Sequence, residues 1–173
     1  GYRSIPHKDI SSITDVVVSE VMDTGALGGA APVAYEFSPG RLNKDEPGSW
    51  GKYTYYVQDG ATHIEWYYAL DSHDHDSKTW LIQYRAHGAV SFFPEHDEIY
   101  WNVFTDYDVV VDEAEVLVRL PQDVSAPRAQ IYLTEEREHD AISEHPDART
   151  FRFVAYDFAP GEDFTIAVGW EKG

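Results

Sequence analysis

Two aromatic segments joined by Asp59-Gly60 constrain this chain more than any other feature. Asp-Gly suits a type I′ turn, which needs positive φ at both central residues and ties two antiparallel strands at fixed register. The flanks, Tyr53–Gln58 and Thr62–Leu70, alternate with the two-residue period of a strand. In the second strand Ile64, Trp66, Tyr68 and Leu70 share one face, and His63, Glu65 and Tyr67 share the other. Tyrosines fall on both faces of the hairpin (Tyr53, Tyr55, Tyr56, Tyr67, Tyr68), and both faces cannot be core. The face with Tyr55, Tyr67, His63 and Glu65 is therefore a candidate stacking surface for a sugar or peptide. The structural alternative is cross-strand aromatic pairing that steadies the sheet.

The same strand pattern recurs along the chain. Asp15–Val21, Tyr35–Phe37, Trp80–His87, Ile99–Val103, Tyr107–Val111, Ala114–Leu120, Ala129–Leu133, Phe151–Phe158 and Phe164–Trp170 are further strand segments. No long stretch carries helical periodicity, although Glu135–Ser143 is compatible with a helical turn or two. The expected fold is all-β: an antiparallel, Greek-key-like sandwich of roughly ten strands with little helix. No Gly/Ser-rich linker divides the sequence, so residues 1–173 are expected to form a single domain. Tyr35-Glu36-Phe37-Ser38-Pro39-Gly40 echoes Tyr156-Asp157-Phe158-Ala159-Pro160-Gly161, a shared strand exit with Pro fixing φ and Gly supplying positive φ.

With 173 residues, folding buries roughly 70% of the extended surface. The 12 Tyr, 8 Phe and 5 Trp supply ample core material. There are 31 acidic residues against 13 Lys and Arg, a net charge of −18, which disfavours nucleic acid and anionic headgroups as partners. The absence of cysteine removes disulfides, thiolate metal sites and thiol nucleophiles. Glycine-rich phosphate loops and a Gly-x-Ser-x-Gly elbow are also absent. No catalytic residue is assigned and no cofactor is expected.

Three charged segments carry other chemistry. Asp71-Ser72-His73-Asp74-His75-Asp76 alternates imidazole and carboxylate, so His73 and His75, with Asp74 and Asp76, are candidate metal ligands. A solvated turn is the plainer reading, because the loop lacks the glycine and closing glutamate of a calcium loop. Glu95, His96, Asp97 and Glu98 sit beside Tyr100 and Trp101, the ingredients of a glycoside hydrolase, which needs two carboxylates around a stacked sugar. Asp97 and Glu98 are adjacent and point apart in a strand, so gatekeeping against aggregation competes with that reading. Glu135–Asp147 is an acidic excursion, a surface hairpin or a partner-docking loop.

The stretch from Phe93 to Val103, FPEHDEIYWNV, runs an acidic Pro-bearing loop into an aromatic strand. Asp97, Glu98, Trp101 and Asn102 form its structural motif. Trp101 is expected to be buried, and Asn102 to bond backbone near residues 93–97, since a buried amide must be satisfied. Tyr100 and Trp101 are further candidate binding residues. Asp97-Glu98-Ile99-Tyr100-Trp101-Asn102-Val103 resembles the most distinctive motif of the extracytoplasmic domain of a bacterial family of predicted membrane proteins of unknown function. Tyr2-Arg3-Ser4-Ile5-Pro6, Thr79–Arg85, Val116–Pro121 and Gly161-Glu162 are similar to its other landmarks. Here Phe104-Thr105-Asp106-Tyr107 stands where that family continues with Gly and Trp.

The resemblance implies a module on the extracytoplasmic side of the bacterial plasma membrane, tethered in a longer multi-pass protein. An export signal before Tyr2 and an apolar stretch of about 20 residues after Gly173 are expected. Its implied work is binding or assembly, with an envelope component, a peptide or another copy as partner. An envelope hydrolase at Glu95–Glu98 and a metal-stabilised module at Asp71–Asp76 are the alternatives.

Overall fold

In the computed structural model, residues 1–21, 31–69, 78–105, 107–124, 127–133 and 141–172 are described. They form two compact units, Gly1–Gly88 and Ala89–Gly173. The fold is all-β, as the alternation predicts, and its only helical turn among the described residues is a 3-10 turn at Pro47–Ser49. Gly88 ends the first unit at φ +72, where a Cβ would come within 2.5 Å of the Ser11 hydroxyl. Only glycine fits there without displacement.

The first unit holds β1 (Tyr2–Pro6), β2 (Ser12–Val21), β3 (Pro32–Ala34), β4 (Glu36–Phe37), β5 (Lys52–Gln58), β6 (Ala61–Tyr67) and β7 (Thr79–His87). They pair as a four-stranded sheet, β1-β6-β5-β4, and a three-stranded sheet, β3-β2-β7. The hairpin forms as its turn chemistry demands, with Asp59 at φ +51 and Gly60 at φ +74. Ile64 and Thr62 of β6 are almost wholly buried, together with Ile5, Ile13, Val16, Val18, Tyr53 and Trp66. The sheets are joined across this core by the buried Tyr53 hydroxyl, which donates to the Val16 carbonyl at 2.7 Å. Trp66 and Trp80 meet beside it with their planes tilted by 56° and ring centres 5.8 Å apart.

The second unit holds β8 (Val90–Phe92), β9 (His96–Phe104), β10 (Val111–Arg119), β11 (Arg128–Leu133), β12 (Ala141–Asp147), β13 (Thr150–Phe158) and β14 (Phe164–Glu171). Its sheets are β10-β13-β12 and β11-β14-β9-β8. A phenylalanine cluster lies between them, built on Phe104, Phe151, Phe153, Phe158 and Phe164 with Ile166 and Val168. Two layers around one apolar core in each unit make the architecture sandwich-like.

Four local readings are corrected. The pair β4–β5 is parallel, whereas antiparallel pairing was expected throughout. Residues 107–110 form a bend rather than a strand, leaving Val109 and Val110 exposed. Residues 141–143 belong to β12 rather than to a helical turn, while 134–140 lie outside the described residues. Pro146 is tolerated in β12 because it is an edge strand with a register break between Glu144 and Asp147. In the Pro-Gly echo, Gly161 has φ +85 but Gly40 is not in the positive-φ region, so the two turns are not equivalent.

A candidate binding cleft

The outward face of β6 organises the first unit's site. Register sets Tyr56 of β5 opposite His63, and Tyr2 of β1 opposite Glu65. The His63 ring stacks between two tyrosines: Tyr56 at 5.3 Å with 27° between planes, and Tyr2 at 5.9 Å with 20°. The Arg41 guanidinium lies 5.7 Å from the Tyr56 ring centre, so a cation extends the stack. His63 Nε2 donates to the Gln58 carbonyl at 3.1 Å, since a carbonyl can only accept. Nδ1 lies 2.7 Å from the Tyr2 hydroxyl, so both ring nitrogens have a hydrogen-bond partner.

Glu65 is gripped by two phenols, Tyr56 donating to one oxygen at 2.7 Å and Tyr67 to the other at 2.6 Å. Burial alone would push this carboxyl up. Hydrogen bonds from Tyr67 and Tyr56, with the charges of Arg41 and His63, outweigh burial and hold it below the ordinary carboxylate range. The same contact acts in the opposite sense on Tyr67: burial first, then the Glu65 hydrogen bond, push its phenol up to about 12. Beside Glu65 opens a cleft of about 600 Å³, lined by the aromatic residues Tyr2, Trp66, Tyr67 and Tyr68, with Gly1, Lys44 and Asp45.

Linkage gives this site two pH limits. Glu65 has a depressed pKa in the fold, so its stabilisation is present above its unfolded pKa and is lost as pH falls through the folded one. Tyr67 has a raised pKa, so its share is full below about pH 10 and fades as pH climbs toward 12. Glu65→Gln should flatten both limbs of a stability–pH profile measured by urea denaturation. An unchanged profile would show that the phenol–carboxylate contacts carry no stability.

The structure distributes the sequence candidates unevenly. His63, Glu65 and Tyr67 share the cleft face, but Tyr55 does not. It pairs with Ile64 on the core side and packs on Phe37 at 5.3 Å. Tyr56 occupies the place expected of Tyr55. Tyr100 and Trp101 belong to the second unit and point to opposite faces of β9, so they are not one stacking surface. Trp101 packs half-buried against the phenylalanine core, while Tyr100 meets Tyr132 at 5.7 Å on the outer face. The loop with His73, Asp74, His75 and Asp76 lies outside the described residues. Among those residues, no group of three or more His, Asp or Glu stands where it could hold a metal ion.

Asn102 is hydrogen-bonded, with a partner the local sequence does not announce. Its side-chain carbonyl accepts from the Thr165 hydroxyl at 2.7 Å, directly across on β14. Asn102→Leu leaves that buried hydroxyl without its acceptor and is expected to cost about 1–3 kcal/mol. Thr165→Val in the same chain should recover much of the loss. Additive losses in this double-mutant cycle would show that the two side chains do not act as a pair.

The acidic run is also divided. Asp97 pairs with Lys172 at 3.3 Å, while its neighbour Glu98 turns to the other face beside Gly169. Glu95 and His96 line a smaller cleft of about 250 Å³ with Arg128, Trp170, Glu171 and Lys172. The four residues 95–98 therefore do not converge on one point, as a carboxylate pair for sugar cleavage would require.

The family comparison decides the relationship. The model of the N-terminal domain of a predicted membrane protein family, DUF2207, matches residues 3–170. The chain belongs to the DUF2207 family. No curated protein and no solved structure matches it. The match to this DUF2207 domain spans both units, so the resemblance carried by the Asp97–Val103 motif is borne out. No helix among the described residues is long and apolar enough to cross a membrane. Several residues of the DUF2207 site escaped the sequence reading, among them Trp66, Tyr68, Lys44 and Asp45 of the cleft lining. Arg41 and Tyr2 reach it from a loop and from β1, and only the fold brings them to β6.

Proposed function

We propose that this domain is the extracytoplasmic ligand-binding module of its membrane protein, with the first unit's aromatic cleft as its site. The observation that carries the reading is one open cleft lined by four aromatic residues and by Glu65, whose carboxylate is fixed by the Tyr56 and Tyr67 hydroxyls. Aromatic rings offer flat apolar faces to a sugar ring or peptide side chain at little entropic cost. Glu65 keeps acceptor capacity for a ligand hydroxyl or amide, because each carboxylate oxygen has a second lone pair. The stack through Tyr2, His63, Tyr56 and Arg41 stiffens the wall, so little ordering is needed on binding. Envelope glycans and peptides are the ligand classes that fit.

The test is a screen of envelope glycan fragments and short peptides, followed by amide and indole NMR shifts. A true ligand should move Trp66, Tyr67 and Tyr68 signals and lose affinity with Tyr67→Ala or Glu65→Gln. A panel in which no compound perturbs these signals would end the cleft reading. Placement is tested separately by a topology reporter fused to the domain in the full-length protein. A reporter active only in the cytoplasm would overturn the extracytoplasmic assignment.

A further inference from the structure

We infer that the tip of the β8–β9 hairpin is a membrane-contacting edge of this domain, setting Phe92 and Phe93 into the headgroup layer of a zwitterionic lipid surface. This does not depend on the aromatic cleft or its ligand. Phe92 is 75% exposed and Phe93 41% exposed, and they are consecutive at the end of β8. Large apolar rings paired at a hairpin tip mark a contact surface rather than scattered exposure.

The groups around the rings define the occupant. Lys172 lies over the Phe92 ring, 5.9 Å from its centre, and His96 stacks on Phe93 at 4.7 Å. Register places Glu171 opposite His96, so the end of β14 and the hairpin tip share one end of the sheet. Arg128 and the half-buried Trp170 line the adjoining small cleft. Aromatic rings beside long cationic side chains are the composition of a bilayer interface, where the cations reach phosphates while their stems stay with the acyl boundary.

Charge then selects the type of lipid. Arg128 and Lys172 are balanced in the same cleft by Glu95 and Glu171, so the patch is not polybasic. With a chain charge of −18, an anionic bilayer would repel the domain. A headgroup carrying both phosphate and ammonium meets both signs. In a family described as membrane proteins with this domain at the N-terminus, such an edge would seat the domain on its own bilayer.

The chain has no cysteine, so one introduced thiol gives a unique label. Pro94→Cys carries a nitroxide at the tip and leaves both rings intact, and Leu117→Cys, on the exposed face of β10, is the control. The full 1–173 chain is held by an added C-terminal histidine tag on nickel-chelating phosphatidylcholine vesicles. Paramagnetic relaxation by oxygen and by a water-soluble nickel chelate reports depth. The label at 94 should show oxygen access several-fold above chelate access, the control should not, and Phe92→Ser with Phe93→Ser should abolish the difference. Equal solvent access at 94 and 117 would overturn the inference. So would depth that survives the double serine variant, or depth that appears only when phosphatidylglycerol is added.

Discussion

Phe164→Ala is expected to lower stability by about 3–5 kcal/mol, the usual loss when a buried aromatic is truncated. Phe164 has no measurable exposure and sits at the start of β14, the central strand between β11 and β9. Its ring meets Phe104 edge on face at 5.9 Å and Phe158 at 5.6 Å, and Phe104 and Phe158 contact each other at 4.9 Å. Removing one ring of this triangle forfeits burial and opens a void that the two sheets cannot close without leaving register. A fall in the urea midpoint at unchanged slope would measure the loss. A change below about 1 kcal/mol would mean that the cluster repacks and is not the keystone described.

Ile64→Ala should cost about 2–5 kcal/mol and weaken the cleft at the same time. Ile64 is wholly buried on β6, opposite Arg3 of β1 and Tyr55 of β5. Its chain neighbours His63 and Glu65 are the two polar centres of the outward face, so the inward side chain fixes the plane on which they stand. The variant is expected to reduce the Tyr67 signature, bringing its phenol titration back toward the ordinary value, as followed by tyrosinate absorbance. Lost stability with an unaltered titration would separate the core from the site.

How much of this was legible depended on how local each cause was. The hairpin was, because Asp59-Gly60 states its own turn and the alternation of Thr62 through Tyr67 states its faces. With that turn, register makes Tyr56 the partner of His63, so choosing Tyr55 was a failure to count across the hairpin rather than a lack of signal. The three-residue strands β3 and β8 are too short to show periodicity. β12, with its Glu, His, Pro and Asp, looks like a loop because an edge strand facing water needs no apolar pattern. Residues 107–110 misled in the other direction, since consecutive valines suggested a strand where the chain bends. The Asn102–Thr165 bond and the reach of Arg41 to Tyr56 join residues from separate parts of the chain, and nothing nearby in sequence announces either.

The pairing of β1 with β6 and of β2 with β7 carries a consequence for biogenesis. β1 has no hydrogen-bonding partner, and β2 only the three-residue β3, until most of the first unit has been made. A chain emerging from its N-terminus must therefore hold β1 and β2 open, with their apolar residues uncovered, and such delayed pairing is slow and prone to misassociation. On the extracytoplasmic placement proposed above the chain would cross the membrane unfolded, and there the delay would be useful, because premature folding would block passage. The wait ends when β7 closes on β2.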